Sequence, residues 1–159
     1  MPDAGILGSV LVAAVGALVG AVIQRLISRR QQQYRATLDL FRQYNMQEMI
    51  DARAAAWKFL RVDYTESDAP ISAFYADAGR PELAKIYGDI TKVAIFWHLL
   101  YIMHREKELL RGLAKEMFGR QFADWETVLL PLARNTKQHD EDVPEWATIL
   151  LKNKLSWLK

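Results

Sequence analysis

The side chains best suited to proton transfer or metal binding in this chain are three histidines, His98, His104 and His139, and there is no cysteine. His98 and His104 are six residues apart, which places them about 120° apart around a helix. Two histidines that share one metal ion on a helix are normally four residues apart. We therefore expect no metal site and no cofactor, and we interpret His98 as a hydrogen-bonded core histidine.

A second pattern joins Arg134, Asn135 and His139 within the run R-N-T-K-Q-H. A histidine in such a pattern can carry a proton, and the arginine can stabilise charge at a scissile phosphate. The alternative is structural, with Arg134 near the end of a helix and His139 capping its carbonyl groups. The acidic turn 139–142 that follows would repel phosphate. This favours a structural role over a catalytic one.

Composition excludes several other classes of function. The chain has 159 residues, with 21 Lys+Arg against 19 Asp+Glu, and this net charge of +2 argues against a strongly basic nucleic-acid binder. The absence of cysteine excludes disulfide frameworks, cysteine-zinc sites and thiol catalysis. The glycine-rich signatures of phosphate-binding loops are also missing from the sequence.

A stretch of twenty uncharged residues runs from Ala4 to Ile23. Its length matches a hydrocarbon core of about 30 Å, so we predict a transmembrane helix over 1–27 and a helical domain over 28–159. A buried core helix and a cleaved signal peptide are the alternatives. Arg25, Arg29 and Arg30 follow without an intervening acid, which predicts an outward N-terminus and a cytoplasmic domain at the inner membrane.

Small residues follow two stripes of the same segment. Such residues let helix backbones approach closely and promote self-association within a bilayer. The pattern predicts a homo-oligomer in contact with membrane lipid. One stripe repeats every four residues and the other is a G-x-x-x-G pair, and together they contain Gly5, Ser9, Ala13, Ala17, Ala21, Gly16 and Gly20.

The remaining residues predict an all-α fold, since no sustained strand alternation occurs. The first helix should continue to about residue 44, and Asn45 followed by Glu48 should cap a second helix that ends near 61. One uninterrupted helix is the alternative. Further helices are predicted at 81–110, from about 113, from about 124 with a kink at Pro131, and from about 144.

This layout resembles the small membrane accessory protein of type VI-B CRISPR systems, which combines an N-terminal span with a HEPN-like helical domain and an R-N-x-x-x-H motif. It is also similar to an uncharacterised bacterial family of single-span helical proteins, in which a Phe-Gly pair, here Phe118-Gly119, precedes a Trp-centred helix. The resemblance implies a homo-oligomeric pore or permeability effector in antiviral defence, partnered with an RNA-guided nuclease. A membrane-tethered HEPN-type ribonuclease acting on RNA, with Arg134, Asn135 and His139 as its site, and an anchored scaffold are the alternatives.

Overall fold

The computed structural model describes the backbone of residues 4–64, 81–139 and 142–159, and the side chains of these ranges from residue 16 onward except that of Asp63. Within these ranges every regular element is helical, and none is a strand. The α-helices are α1 (Ala4–Tyr44), α2 (Gln47–Lys58), α3 (Pro81–Arg105), α4 (Arg111–His139) and α5 (Glu145–Leu151). A π-helical turn, Phe59–Asp63, follows α2, and a 3-10 helix, Ser156–Leu158, follows α5.

The predicted transmembrane helix is wrong. Among the described residues, no helix combines the length and the apolar content that a bilayer crossing needs. In the described side chains of α1, the uncharged run from Gly16 is interrupted at Arg25 and again at Arg29 and Arg30. The predicted single-pass location in the inner membrane, with the N-terminus outside, is corrected by the same finding.

The break between α1 and α2 is where the sequence predicts it, but its capping differs. The Asn45 side-chain amide donates to the carbonyl oxygen of Phe41 at 2.8 Å, so Asn45 closes α1. Met46 occupies the N-cap position of α2 and makes no side-chain capping bond. Glu48 instead accepts a hydrogen bond from Lys92 at 2.6 Å, which joins α2 to α3. Asn45 and Glu48 therefore do not form the predicted capping box.

An aromatic cluster from α1, α3 and α4 forms the centre of the core. The ring centroids of Tyr44 and Phe96 lie 4.8 Å apart, and those of Trp97 and Phe122 lie 5.3 Å apart. Phe118 meets Tyr44 edge-on at 5.8 Å. Such tilted and edge-on pairs add to the stabilisation that comes from burying the rings. This cluster fixes the last turn of α1 against α3 and α4.

Helix α4 is one continuous element across residue 124, where a separate helix was predicted to begin. It begins at Arg111, next to Gly112, and includes both residue 124 and Pro131. Gly119 lies inside this helix, where the backbone of Leu158 packs against it. A Cβ at this position would lie 2.6 Å from the carbonyl oxygen of Leu158, so only glycine fits without a shift of the backbone. Leu155 and Leu158 are both 1% exposed, so this late segment completes the core.

Two hydrogen bonds from Gln33 and Thr37 join α1 to the turn 106–110 between α3 and α4. The Thr37 hydroxyl is fully buried; it donates to the carbonyl oxygen of Gln33 at 2.7 Å and accepts from the Leu110 amide at 3.0 Å. The Gln33 side chain donates to the carbonyl oxygen of Lys107 at 2.7 Å. These bonds set the angle at which α1 leaves the domain.

Replacing Thr37 by valine should lower the free energy of unfolding by about 1–3 kcal/mol, because the Leu110 amide would lose its acceptor without a change in side-chain shape. Urea titration followed by tryptophan fluorescence measures this change. The matched control is Thr127→Val, since that hydroxyl bonds only to the Asp124 carbonyl oxygen on an exposed surface. The control should cost less than about 0.5 kcal/mol. Equal losses in both variants would contradict the bridging role of Thr37.

Candidate interaction site on the projecting helix

The segment of α1 from residue 16 to residue 32 projects from the domain. Every residue in it is exposed, whereas Thr37, Leu40 and Tyr44 further along the same helix are buried. The segment belongs to one unbroken α-helix that continues into the core. Residues 16–32 therefore form an exposed extension of a helix whose last turns pack in the core.

One side of this segment is strongly apolar. Its side chains are 51 to 67% exposed, which is unusual for so many adjacent large aliphatic residues. At 100° per residue they cover roughly half of the helix circumference. Arg29 and Arg30 follow directly and end the patch. We call this patch the apolar face; it consists of Leu18, Val19, Val22, Ile23, Leu26 and Ile27.

The small residues singled out in the sequence lie only partly on the other side. Ala17 is roughly 140° around the helix from Val22. Gly16 and Gly20 are exposed, and a Cβ at either would meet nothing within 4 Å. The remaining members of the stripe, Gly5, Ser9 and Ala13, lie outside the residues whose side chains are described. Ala17 and Ala21 therefore lie on a different surface from the apolar face, whereas Gly16 and Gly20 border that face next to Ile23 and Ile27.

The Arg134, Asn135 and His139 motif closes α4, as the sequence predicts for a structural motif. The Asn135 amide donates to the Tyr64 hydroxyl at 2.9 Å and so joins α4 to the end of the π-helical turn. Arg134 and His139 are exposed and stand roughly 140° apart around the helix. Within the described residues, Asn135 thus serves packing, and the arginine and histidine do not face a common point.

His98 lies at the edge of the core, and not inside it as the sequence predicts. Its Nε2 atom lies 3.2 Å from a carboxylate oxygen of Glu145, at the start of α5, and its side chain is 19% exposed. Across the ranges that the structure describes, no three His, Asp or Glu side chains gather in a way that could hold a metal ion. The contact between His98 and Glu145 therefore fastens α5 to α3.

Comparison with known protein families, curated proteins and solved structures yields no match to this chain. The resemblance to type VI-B accessory proteins rests on the sequence features alone. The pore, the role in antiviral defence and the partnership with an RNA-guided nuclease stay predictions drawn from that resemblance.

Proposed function

We propose that this protein is a self-associating helical module, in which the apolar face of α1 binds the same face of a second copy. The observation that carries the proposal is the exposure of the six aliphatic side chains on one side of a projecting helix. Monomeric proteins rarely leave a contiguous apolar patch of this kind in water. Burying it against an equivalent patch removes both patches from solvent at once.

The spacing along the apolar face suits helix-to-helix packing. Val19, Val22 and Leu26 are separated by three and then four residues, which is the repeat that places one line of side chains against a neighbouring helix. Val22 and Leu26 are 58 and 63% exposed, so both are available to a partner. A second copy offers the same repeat and therefore the same shape.

The charges on α1 favour two helices that run antiparallel. Arg25, Arg29 and Arg30 are all exposed and lie at the domain end of the apolar face. In a parallel pair, each arginine cluster would stand beside its copy and repel it. In an antiparallel pair the two clusters lie at opposite ends of the contact, and the two domains lie apart. The described domain, α2 to α5, then serves to hold α1 rigidly at its base.

Replacing Val22 by aspartate should dissociate the assembly. An unpaired carboxylate within an apolar contact costs about 3 kcal/mol or more, which raises the dissociation constant at least about 100-fold. Native mass spectrometry and light scattering after gel filtration measure the mass of the particle. The unsubstituted protein, called the parent here, should have a mass greater than that of one chain. Val22→Asp should have the mass of a monomer and an unchanged circular dichroism spectrum.

Two control variants separate the apolar face from the other surfaces of α1. Gln24→Asp adds the same charge to the same turn but roughly 160° away from Val22, so it should keep the parent mass. Ala17→Leu enlarges the small-residue stripe and should also leave the mass unchanged. A monomeric parent at high protein concentration, or dissociation by Gln24→Asp as complete as that by Val22→Asp, would overturn the proposal.

A further inference from the structure

A cleft of about 620 Å³ lies where α1 leaves the domain, between the base of the projecting segment and the turn from α3 to α4. Its walls carry four side chains with a permanent positive charge: Arg29 and Arg30 from α1, Lys107 from the turn and Arg111 from the start of α4. The cations come from three separate parts of the chain. They converge because Gln33 and Thr37 bind α1 to this turn.

Among the described residues, the positive charge of the cleft is only partly offset, because the exposed Glu108 follows Lys107 in the chain but does not line the cleft. No Asp or Glu is among the described residues that line it, and none of the four cations forms an ion pair within the described part of the chain. Glu106, on the turn itself, is paired with Arg105 at 2.9 Å. Like charges held together repel one another, so an anion that enters the cleft would relieve that repulsion.

The start of α4 adds a further positive potential. The first turn of this 29-residue helix contains no acidic residue. The first intrahelical bond at this end comes from the Ala114 amide to the Leu110 carbonyl oxygen. The preceding amides of the first turn are therefore not used within the helix, and they carry the positive end of its dipole. Gly112 leaves this backbone open, since a Cβ there would meet nothing within 4 Å.

The backbone at Lys107 is fixed in an unusual conformation. Its φ angle is 59°, in the left-handed region where glycine is the usual residue after a helix. The backbone amide of Glu108 donates a hydrogen bond to the carbonyl oxygen of Met103 at 2.8 Å, which closes the turn. Asn153 is the other described residue with a positive φ, but asparagine tolerates this region and lysine does not. This turn places Lys107 at the edge of the cleft.

His104 forms the aromatic edge of the cleft. Its ring stacks on Trp157, with centroids 3.9 Å apart and planes 10° apart. Burial, and after it the charge of Arg111, lowers the pKa of the imidazole. The ring is therefore poised to gain a proton when an anion neutralises the surrounding cations.

We propose that this cleft binds a compact polyphosphate anion, such as the triphosphate group of a nucleotide. Three or four negative charges on adjacent phosphates match four converging cations and a helix N-terminus within a single small cleft. A long polymer would instead need a basic track that extends beyond the cleft. Leu26 lines the cleft and also belongs to the apolar face, so the two sites adjoin along α1.

Titration calorimetry with inorganic tripolyphosphate tests the site. We expect measurable binding to the parent and a loss of at least about tenfold in affinity for Arg111→Gln, because one charge-assisted contact is removed. The matched control is Arg120→Gln, on the same helix and exposed outside the cleft, which should bind like the parent. No binding to the parent, or equal loss in both variants, would overturn the proposal.

Lys107→Gly separates a binding role from a structural one. Glycine accepts the left-handed backbone, so this variant should be at least as stable as the parent. It should nevertheless bind tripolyphosphate about tenfold more weakly. In the parent, the pKa of His104, followed by proton NMR, should rise when tripolyphosphate is added. Unchanged affinity in Lys107→Gly together with an unmoved His104 titration would contradict the site.

The identity of the ligand is tested with three further probes at equal phosphate concentration. A nucleoside triphosphate should bind at least as tightly as tripolyphosphate, and tighter binding would place its base against His104. A single-stranded oligonucleotide or phosphatidylglycerol vesicles should bind more weakly. Tighter binding to either of these would overturn the assignment to a compact polyphosphate.

Discussion

Trp97→Ala should lower the free energy of unfolding by about 3–5 kcal/mol, the range expected when a large aromatic side chain is deleted from a packed core. Trp97 is 1% exposed and lies against Tyr44, Phe96, Phe118 and Phe122. Its removal leaves a cavity between α1, α3 and α4, which the surrounding rings cannot fill without leaving their rotamers. Urea titration followed by far-UV circular dichroism measures the loss.

The control for Trp97→Ala lies two residues earlier on the same helix. Ile95 is 54% exposed, so Ile95→Ala removes a large aliphatic side chain without opening the core. It should change the free energy of unfolding by no more than about 0.5 kcal/mol. Comparable losses in the two variants would mean that Trp97 is not the centre of the core.

Gly119→Ala should lower the free energy of unfolding by about 1–3 kcal/mol, although alanine favours a helix more than glycine does. The added Cβ would lie 2.6 Å from the Leu158 carbonyl oxygen, and that atom belongs to the backbone. Relief of this contact requires the 3-10 helix Ser156–Leu158 to move away from α4. Leu155 and Leu158 would then lose part of their burial.

Gly88→Ala is the matched control for the same substitution. Gly88 lies within α3, and a Cβ there would meet nothing within 4 Å. It should raise the free energy of unfolding by about 0.5–1 kcal/mol, because alanine restricts the unfolded chain and favours the helix. Thermal unfolding of both variants therefore gives shifts of opposite sign. Shifts of the same sign would contradict the close packing described at Gly119.

Helix content and several helix boundaries could be predicted from local signals. The break after Tyr44 is next to Asn45, as predicted, although Asn45 closes α1 and does not cap α2, and α5 starts directly after Pro144. The continuity of α4 could not be predicted in this way. The sequence predicts a new helix near residue 124, whereas α4 runs through that position, and the contact that makes Gly119 necessary comes from Leu158, 39 residues later.

The candidate sites were only partly visible in the sequence. The aliphatic side chains of 18–27 are evident from their spacing, but the sequence predicts their burial in lipid, whereas no helix among the described residues is long and apolar enough to cross a membrane. From the sequence alone, Arg25, Arg29 and Arg30 predict which side of a membrane the domain faces. Their convergence with Lys107 and Arg111 depends on the contacts of Gln33 and Thr37 across more than 70 residues, which no local pattern predicts.

The burial of Leu155 and Leu158 has a consequence for synthesis on the ribosome. Tyr44 packs in a core that these two leucines complete about 110 residues later in the chain. At about 5–20 residues per second, the nascent chain waits on the order of ten seconds before the core can close. During the later part of that interval the aliphatic side chains of α1 are outside the ribosome, while the domain that follows them is still incomplete. Polysomes that carry several such nascent chains would bring these segments together before any one copy has folded, so assembly through α1 could begin during translation.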